Sequence, residues 1–130
     1  MGYWPAAIGA ALASSRRVIC ITGDGCLQMN IQELATVVKN KLNIKIFVLN
    51  NDGYLLIRHT QKKYFGAKGV NGESPKTGLG FPNLWSIAEA YGIKYEDDIE
   101  DAMNYGKNPV LCELNTPKWE KLQCRLDSML

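Results

Sequence analysis

Two apolar runs in the first half of the sequence each end in a polar cluster, and this arrangement limits the possible folds. The run RVICIT leads into Gly-Asp-Gly at residues 23–25, and the run IKIFVL leads into Asn50 and Asn51. The 24 residues that separate Gly25 from Asn50 contain apolar residues at helical spacing. A strand, a helix and a second strand in this order predict parallel neighbouring strands whose polar ends lie side by side.

The rest of the chain continues this alternation of helices and strands. We predict strands at residues 17–22, 44–49, 93–96 and 109–115, and helices at residues 5–13, 31–41, 54–65, 84–91 and 98–105. Asn30 and Glu33 match a variant capping box before the second helix, and residues 23–29 are expected to form a turn. Asn83 and Gly92 are expected to begin and end the helix at 84–91. The pattern predicts an α/β fold, a mainly parallel sheet with helices on both faces.

The length and charge of the chain narrow its class. A chain of 130 residues is expected to form one domain, residues 1–130, with its own hydrophobic core. The formal charge is +2 and most basic residues are scattered, which does not favour nucleic-acid binding. The alanine-rich segment PAAIGAALA is too short to span a membrane and lacks the basic start of a signal peptide. We therefore expect a cytoplasmic protein that binds neither membranes nor nucleic acid.

A long stretch rich in glycine, lysine, serine and proline follows the segment YLLIRHTQKKYF. It includes GAKGVNGESPKTGLGFP, and we assign residues 63–82 to a mobile lid loop. Loops of this length inside a compact domain usually cover a functional site or are disordered. The position directly after the second polar cluster favours a lid.

The cysteines, the single histidine and the tryptophans are interpreted as structural residues. Cys20 and Cys112 lie in apolar strand-like runs, and the spacing of the four cysteines does not match a metal site, so reduced thiols are expected. Cys26 is the exception, because a thiolate beside a helix start could be stabilised, although a small residue beside a phosphate explains it equally well. His59 is expected to be a solvated or lid residue. Packing in the core or at an interface is expected for Trp4, Trp85 and Trp119.

The chemistry of the two polar clusters favours a divalent cation and a diphosphate. Asp24 offers a carboxylate and Asn51 an amide oxygen, and oxygen ligands of this kind suit Mg²⁺. A main-chain carbonyl at Gly53 is the expected third ligand, because glycine allows unusual backbone angles. The N–H groups of Gly25 and Cys26, at the start of the following helix, are expected to face the diphosphate. Either cluster alone is typical of an ordinary turn. The interpretation as a binding site depends on finding both clusters, each at the end of a strand.

The sequence around these clusters resembles the acetolactate synthase-like group of thiamine diphosphate enzymes. GDG followed by NN after 24 residues looks like the diphosphate and magnesium motif of that family. The segments MGYWPAAIGAALA, GDGCLQMNIQELATVVKNKLNIKIFVLNNDGY and IRHTQKKYFG are similar to the group's carboxy-terminal, cofactor-binding domain, and this resemblance covers nearly the whole chain. The last segment together with LGFPNLWSIAEAYGI looks most like members that act on 2-keto acids or on sugar and lipopolysaccharide precursors.

This resemblance implies roles for particular residues. Asp24, the side chain of Asn51 and the main chain of Gly53 would bind Mg²⁺. Met1 would pack against the cofactor, while Met29 and Glu33 match family positions that we interpret as structural. The full set of implied contacts to thiamine diphosphate is Met1, Gly23, Asp24, Gly25, Cys26, Asn51, Gly53, Tyr54 and Leu55.

The resemblance also implies a reaction and a partner. Family members decarboxylate a 2-keto acid and add the product to an acceptor, with the cofactor performing the chemistry. They carry a pyrimidine-binding domain whose glutamate protonates the cofactor ring, and the 130 residues do not include it. We therefore expect a domain incomplete at its N-terminus, a pyrimidine-binding domain from another chain, and a dimer or higher oligomer. A catalytically inactive truncated fragment, one half of a split enzyme and, more distantly, a flavodoxin-like binding domain remain open alternatives.

Overall fold

The strands of the protein form a single parallel sheet. The structure is a computed structural model that describes residues 3–14, 16–66, 72 and 74–118. The strands are β1 (Val18–Gly23), β2 (Ile44–Asn50), β3 (Lys94–Glu96) and β4 (Val110–Asn115). Their order across the sheet is β1-β2-β4-β3, and each neighbouring pair is parallel. The α/β fold with a parallel sheet is therefore confirmed.

Helices connect these strands and cover both faces of the sheet. Their bounds are α1 (Tyr3–Ala13), α2 (Asp24–Gln28), α3 (Glu33–Lys39), α4 (Leu55–Phe65), α5 (Leu84–Tyr91) and α6 (Ile99–Asn104). A short 3-10 helix spans Pro75–Thr77. Among the described residues, none of these helices has the length and apolar character needed to cross a membrane.

The register of the sheet places the two polar clusters next to each other. Gly23, the last residue of β1, is paired with Leu49 of β2. The chain therefore leaves β1 at Asp24 and leaves β2 at Asn51 along the same edge. Since the two strands are parallel neighbours, their carboxyl ends share this edge, as the sequence pattern predicted.

The main hydrophobic core lies on the face of the sheet that α1, α3 and α5 cover. Alternate residues of the strands, such as Cys20, Ile46 and Leu111, point into this core because successive side chains of a strand face opposite sides. The helices contribute buried apolar residues, which are Trp4, Ile8, Ala11, Leu34, Val37, Leu84 and Ala88. Packing against these helices fixes the strands whose ends form the polar edge.

Trp4 anchors α1 to the segment that precedes α3. Its side chain is 1% exposed, and its indole Nε1 donates a hydrogen bond to the carbonyl oxygen of Asn30 at 3.1 Å. The expected core role is confirmed for Trp4. Trp85, by contrast, is 53% exposed, so it is not a core residue and its position at an interface stays a prediction; Trp119 lies outside the described residues.

The opposite face of the sheet contains a smaller core and a buried lysine. Phe47, Val110 and Cys112 pack there against Ala102 of α6. Lys45 of β2 is fully buried, and its Nζ donates to the carbonyl oxygens of Asn108 at 2.6 Å and Tyr105 at 3.4 Å. Burial lowers the pKa of this ammonium group, with a further contribution from the charge of Arg17. These main-chain acceptors compensate the buried charge and hold the turn before β4.

The described cysteines are free thiols. Cys20 and Cys112 are buried, whereas Cys26 is exposed; Cys124 lies outside the described residues. Burial raises the pKa of the Cys20 thiol, and burial with nearby acidic residues raises the pKa of Cys112 to about 11. Both buried thiols therefore stay protonated near neutral pH and act as small apolar side chains, as expected.

The start of α3 differs from the predicted capping box. The helix begins at Glu33. The residue before it, Gln32, has helical backbone angles, and its side chain makes no cap hydrogen bond. A series of turns joins α2 to α3, because the Asn30 N–H donates to Leu27 and the Glu33 N–H donates to Asn30. Asn30 is therefore not the extended N-cap residue that a capping box requires. The expected turn at residues 23–29 is also wrong in part, since Asp24–Gln28 form the helix α2.

The predicted ends of α5 are confirmed. Asn83 has an extended backbone, and its Oδ1 accepts a hydrogen bond from the Ser86 N–H at 2.8 Å. Gly92 ends the helix in the left-handed conformation with φ +70°, which costs a glycine little. Local chemistry was sufficient here because both ends are made by residues next to the helix.

The region assigned to a lid contains regular structure at its start and near its end. Helix α4 continues to Phe65, and the 3-10 helix Pro75–Thr77 begins with a reciprocal capping arrangement between Ser74 and Thr77. Residues 67–71 and 73 lie outside the described residues. The mobility of residues 63–82 stays a prediction.

Candidate cation and diphosphate site

Asp24 is a buried carboxylate at the junction of β1 and α2. Gly23 adopts extended backbone angles, so the chain passes from the strand into the helix within one residue. The Asp24 side chain is 8% exposed, and its Oδ1 accepts a hydrogen bond from the Gly25 N–H at 2.6 Å. A carboxylate in the first helical turn is stabilised by the free N–H groups of that turn.

A hydrogen bond joins the two polar clusters directly. The second carboxylate oxygen of Asp24, Oδ2, accepts from the Gly53 N–H at 3.3 Å, although the two residues are 29 positions apart. This contact confirms that the end of β1 and the loop after β2 meet. The predicted neighbourhood of Asp24 and Gly53 is therefore present in the fold.

Asn51 provides an unpaired oxygen in the same loop. Its Oδ1 is buried and has no hydrogen-bond partner among the described residues. A buried amide oxygen without a partner is costly, because it has given up its hydration without replacement. An oxygen of this kind, in the loop whose Gly53 N–H contacts a buried carboxylate, suits a hard cation, which would supply the missing interaction.

The loop that carries Asn51 has an unusual backbone. Asp52 has φ +59° and Gly53 has φ +152°, both in the region that side chains with a Cβ rarely adopt. Glycine tolerates such angles without steric cost, and aspartate is one of the few other residues that enter the left-handed region readily. The sequence Asn-Asp-Gly therefore permits a tight reversal between β2 and α4.

The ring of Tyr54 covers Gly25. A Cβ atom at Gly25 would overlap the Tyr54 ring, with Cδ1 2.9 Å away, so only glycine fits there. The same ring packs edge-to-face against Phe81, with 5.9 Å between the ring centroids. Tyr54 thus links the start of α2 to Phe81, near the end of the region assigned to a lid.

We expect Gly25→Ala to destabilise the fold by roughly 1–3 kcal/mol, the usual cost of overpacking. The added methyl group must displace the Tyr54 ring, which then loses its contact with Phe81. In a Tyr54→Ala background the same change should cost much less, because alanine favours helix over glycine. Urea unfolding of the four variants measures this coupling. An equal cost in both backgrounds would show that the ring contact does not limit residue 25.

The other predicted contact residues lie around this edge. Gly23 precedes Asp24, exposed Cys26 is in α2, and half-buried Leu55 is the first residue of α4. Met1 lies outside the described residues. Contacts of these residues with a cofactor stay predictions.

The residues that we interpreted as structural lie outside the two polar clusters. Met29 is exposed directly after α2, and Glu33 accepts a hydrogen bond from the Thr36 hydroxyl at 3.2 Å. His59 is half-buried on α4, and its role stays a prediction.

Sequence reasoning missed a network that supports the loop from β4. The Asn50 side chain accepts from the Asp52 N–H at 2.8 Å and donates to Glu113 Oε1 at 2.5 Å. The other oxygen of Glu113 accepts from the Tyr95 hydroxyl at 2.8 Å. Burial, followed by the hydrogen bond to Glu113 and the negative charge of that residue, raises the pKa of Tyr95, which keeps its hydroxyl a proton donor. The signal available in the sequence was the pair Asn50–Asn51, because only Asn51 was assigned as a cation ligand and Asn50 had no predicted role.

The donor set fits a cation held by one carboxylate and neutral oxygens. The described residues contain no group of three or more histidine, cysteine, aspartate or glutamate side chains placed to hold a metal ion. Mg²⁺ does not need such a group, because it is commonly held by one or two carboxylates together with water and substrate phosphates.

The fold and the site together define a class of protein. A parallel α/β sheet with polar groups at the carboxyl ends of adjacent strands is typical of domains that bind phosphate-containing ligands. The chain belongs to the thiamine pyrophosphate enzyme family, because residues 1–113 match that family's C-terminal TPP binding domain.

Similar proteins support the assignment of the chain to this family. The chain is 40% identical over 124 residues to the acetolactate synthase large subunit of Porphyra purpurea, a match covering 87% of this chain and 20% of the relative. It is 45% identical over 96 residues to the acetolactate synthase isozyme 1 large subunit of Escherichia coli, with coverages of 72% and 16%. The isozyme 2 large subunit of that bacterium is 35% identical over 111 residues, with coverages of 80% and 20%. The matched segments thus span about a fifth of these relatives or less.

Proposed function

We propose that this domain binds the diphosphate of thiamine diphosphate through Mg²⁺, with Asp24, Asn51 and Gly53 as protein ligands. The family match supports a thiamine diphosphate-binding domain. The observation that carries the metal assignment is the meeting of the buried Asp24 carboxylate with the loop that holds the unpaired Asn51 Oδ1. A cation would give the Asn51 oxygen a partner, compensate the charge of Asp24 and neutralise the phosphates.

The start of α2 supports the placement of the diphosphate. Gly25 and Cys26 lie in the first turn of this helix, where main-chain N–H groups have no partner within the helix. The Gly25 N–H donates to Asp24 Oδ1 and would have to change partner to bind a phosphate, whereas exposed Cys26 is accessible to a ligand. Thiamine diphosphate supplies an electron sink for the decarboxylation of 2-keto acids, while the protein binds and orients it.

The wider reaction is part of the same proposal. The relatives named above are acetolactate synthase subunits, and we propose that this chain acts within a related 2-keto acid decarboxylase or carboligase. A pyrimidine-binding domain from another chain would complete the site, giving a dimer or higher oligomer. Exposed apolar side chains on α4, next to the site, support such an interface; they are Leu56, Ile57, Tyr64 and Phe65. A cytoplasmic location fits the free thiols of the described cysteines.

Calorimetric titration of the full chain with thiamine diphosphate tests the proposal. We expect binding in the presence of Mg²⁺ and its loss when EDTA removes the metal, because the phosphates need a counter-charge beside Asp24. Inorganic diphosphate should compete in the presence of Mg²⁺, whereas thiamine without phosphate should not. Binding that is indifferent to Mg²⁺ would contradict the metal assignment, and no binding of the cofactor with Mg²⁺ would contradict the proposed function of this chain.

A further inference from the structure

Arg58 is a buried cation directly behind the proposed ligand loop. It lies in the first turns of α4, and its side chain is 2% exposed. Its Nη1 donates to the main-chain oxygens of Asn51 at 3.2 Å and Lys118 at 2.8 Å, and its Nη2 donates to that of Asp52 at 2.5 Å. We propose that Arg58 is a positioning residue that orients the Asn51–Gly53 loop for cation binding. This inference rests on the proposed function.

The rigidity of the peptide bond explains how Arg58 acts on the ligands. The Asp52 carbonyl and the Gly53 N–H belong to one planar unit, so a hydrogen bond to one end orients the other. Arg58 holds the Asp52 oxygen, and the Gly53 N–H at the far end of that unit donates to Asp24 Oδ2. The guanidinium group therefore sets the geometry of the contact that joins the two polar clusters.

The preceding peptide unit is held from both ends in the same way. Arg58 Nη1 binds the Asn51 oxygen, while the N–H of the same unit, on Asp52, donates to the Asn50 side chain. The peptide unit before Asn51 is held as well, because the Asn50 carbonyl accepts from the Thr116 N–H. With both units fixed, the Cα–Cβ bond of Asn51 has a defined direction, which limits where its Oδ1 can point. Since Asp52 has φ +59°, the loop would have much to gain by relaxing without these bonds.

The guanidinium group suits this task better than an ammonium group does. Its planar fork presents several N–H donors in fixed directions, whereas lysine offers a single point charge on a flexible stem. Here two nitrogens reach three carbonyl groups from two parts of the chain. Lysine at this position could keep the charge but not the simultaneous orientation of two successive peptide units.

Arg58 also connects the ligand loop to the chain that follows β4. It donates to the main-chain oxygen of Lys118, and the Lys118 ammonium in turn contacts Asp52 Oδ2 at 2.6 Å. The Thr116 N–H adds a bond to the Asn50 carbonyl at 2.8 Å. The segment Thr116–Lys118 thus contacts the ligand loop directly, and Arg58 binds main-chain oxygens of both.

Three variants of the full chain test this role. Arg58→Met removes the donors, Arg58→Lys keeps the charge, and Lys63→Met removes an exposed charge from the same helix as a control. Mg²⁺ is titrated at saturating thiamine diphosphate, well below each variant's unfolding temperature. We expect roughly 10–100-fold weaker Mg²⁺ affinity for Arg58→Met, the usual effect of losing a group that orients a metal ligand. Arg58→Lys should recover only part of this loss, and Lys63→Met should match the wild type.

Amide hydrogen exchange provides a readout that does not depend on ligand. We expect the Asp52 and Gly53 amides to exchange at least about tenfold faster in Arg58→Lys, while the Leu111 amide in the core stays unchanged. Wild-type Mg²⁺ affinity in the folded Arg58 variants, or unchanged exchange at Asp52 and Gly53, would overturn the inference. If Arg58→Met does not fold, Arg58→Lys decides between these results.

The same measurements separate this inference from the proposed function. A wild-type chain that binds no cofactor with Mg²⁺ would contradict the proposed function. The exchange rates of Asp52 and Gly53 would still support or overturn the control of the loop by Arg58. Cofactor binding with normal metal affinity in both folded Arg58 variants would instead retain the proposed function and remove the positioning role.

Discussion

Replacing Asp24 by alanine is expected to weaken the Mg²⁺-dependent binding of thiamine diphosphate by roughly 30-fold or more. Removing one partner of a buried charge pair costs roughly 2–5 kcal/mol, and each 1.4 kcal/mol corresponds to about tenfold in affinity. Asp24 is the carboxylate of the proposed ligand set, and it is buried where water cannot easily replace it. The loss should appear as weaker binding in calorimetry with Mg²⁺ present.

A second variant separates the charge of Asp24 from its structural contacts. Asp24→Asn keeps a side chain of similar size and one oxygen that can accept from the Gly25 or Gly53 N–H. We expect it to fold like the wild type and still to lose most of the Mg²⁺-dependent binding, because the neutral amide lacks the charge that Mg²⁺ requires. Asp101→Ala, at an exposed position of α6, is the matched control. Wild-type affinity in both Asp24 variants would remove this residue from the site.

Replacing Trp4 by alanine is expected to have the largest effect on stability. Truncating a buried aromatic residue costs roughly 3–5 kcal/mol, and Trp4 is buried in the main core. The hydrogen bond from its indole to Asn30 would also be lost. Since small domains have a free energy of unfolding of about 5–15 kcal/mol, this single change removes a large part of the total. Urea unfolding followed by circular dichroism measures the difference.

Two controls identify the source of this effect. Trp4→Phe keeps an aromatic ring and loses the hydrogen bond, whose own contribution is roughly 0.5–1.5 kcal/mol; the smaller ring adds a packing cost. Trp85→Ala makes the same truncation at a residue that is 53% exposed, where roughly 0.5 kcal/mol or less is expected. Similar losses for Trp4→Ala and Trp85→Ala would contradict the core position of Trp4.

The juxtaposition of the two polar clusters could be predicted because it depends on the order of strands and helices along the chain and not on how individual side chains pack. Two apolar strands joined by a helix become parallel neighbours under the usual handedness of such connections. The polar residues that end each strand must then share one edge of the sheet. The Asp24–Gly53 hydrogen bond confirms this outcome.

The two predicted helix caps had different outcomes. Asn83 caps α5 as predicted, because its side chain and the Ser86 N–H are close in sequence. Asn30 has the right residue type for the same task, yet local turns join α2 to α3 through its N–H and carbonyl groups, and the N-cap position falls at Gln32. Trp4, 26 positions away, also donates to the Asn30 carbonyl oxygen.

The amino-acid sequence by itself determined the alternation of strands and helices, the polar strand ends and the membership of the family. These follow from periodicity, turn chemistry and motif spacing, which are properties of neighbouring residues. Only the tertiary structure decided that Arg58 and Lys45 are buried and that Tyr54 covers Gly25. A charged residue is ordinarily expected at the surface and an aromatic residue in a core. Their positions depend on carbonyl groups and glycines that distant parts of the chain bring to them, as when Arg58 reaches Lys118.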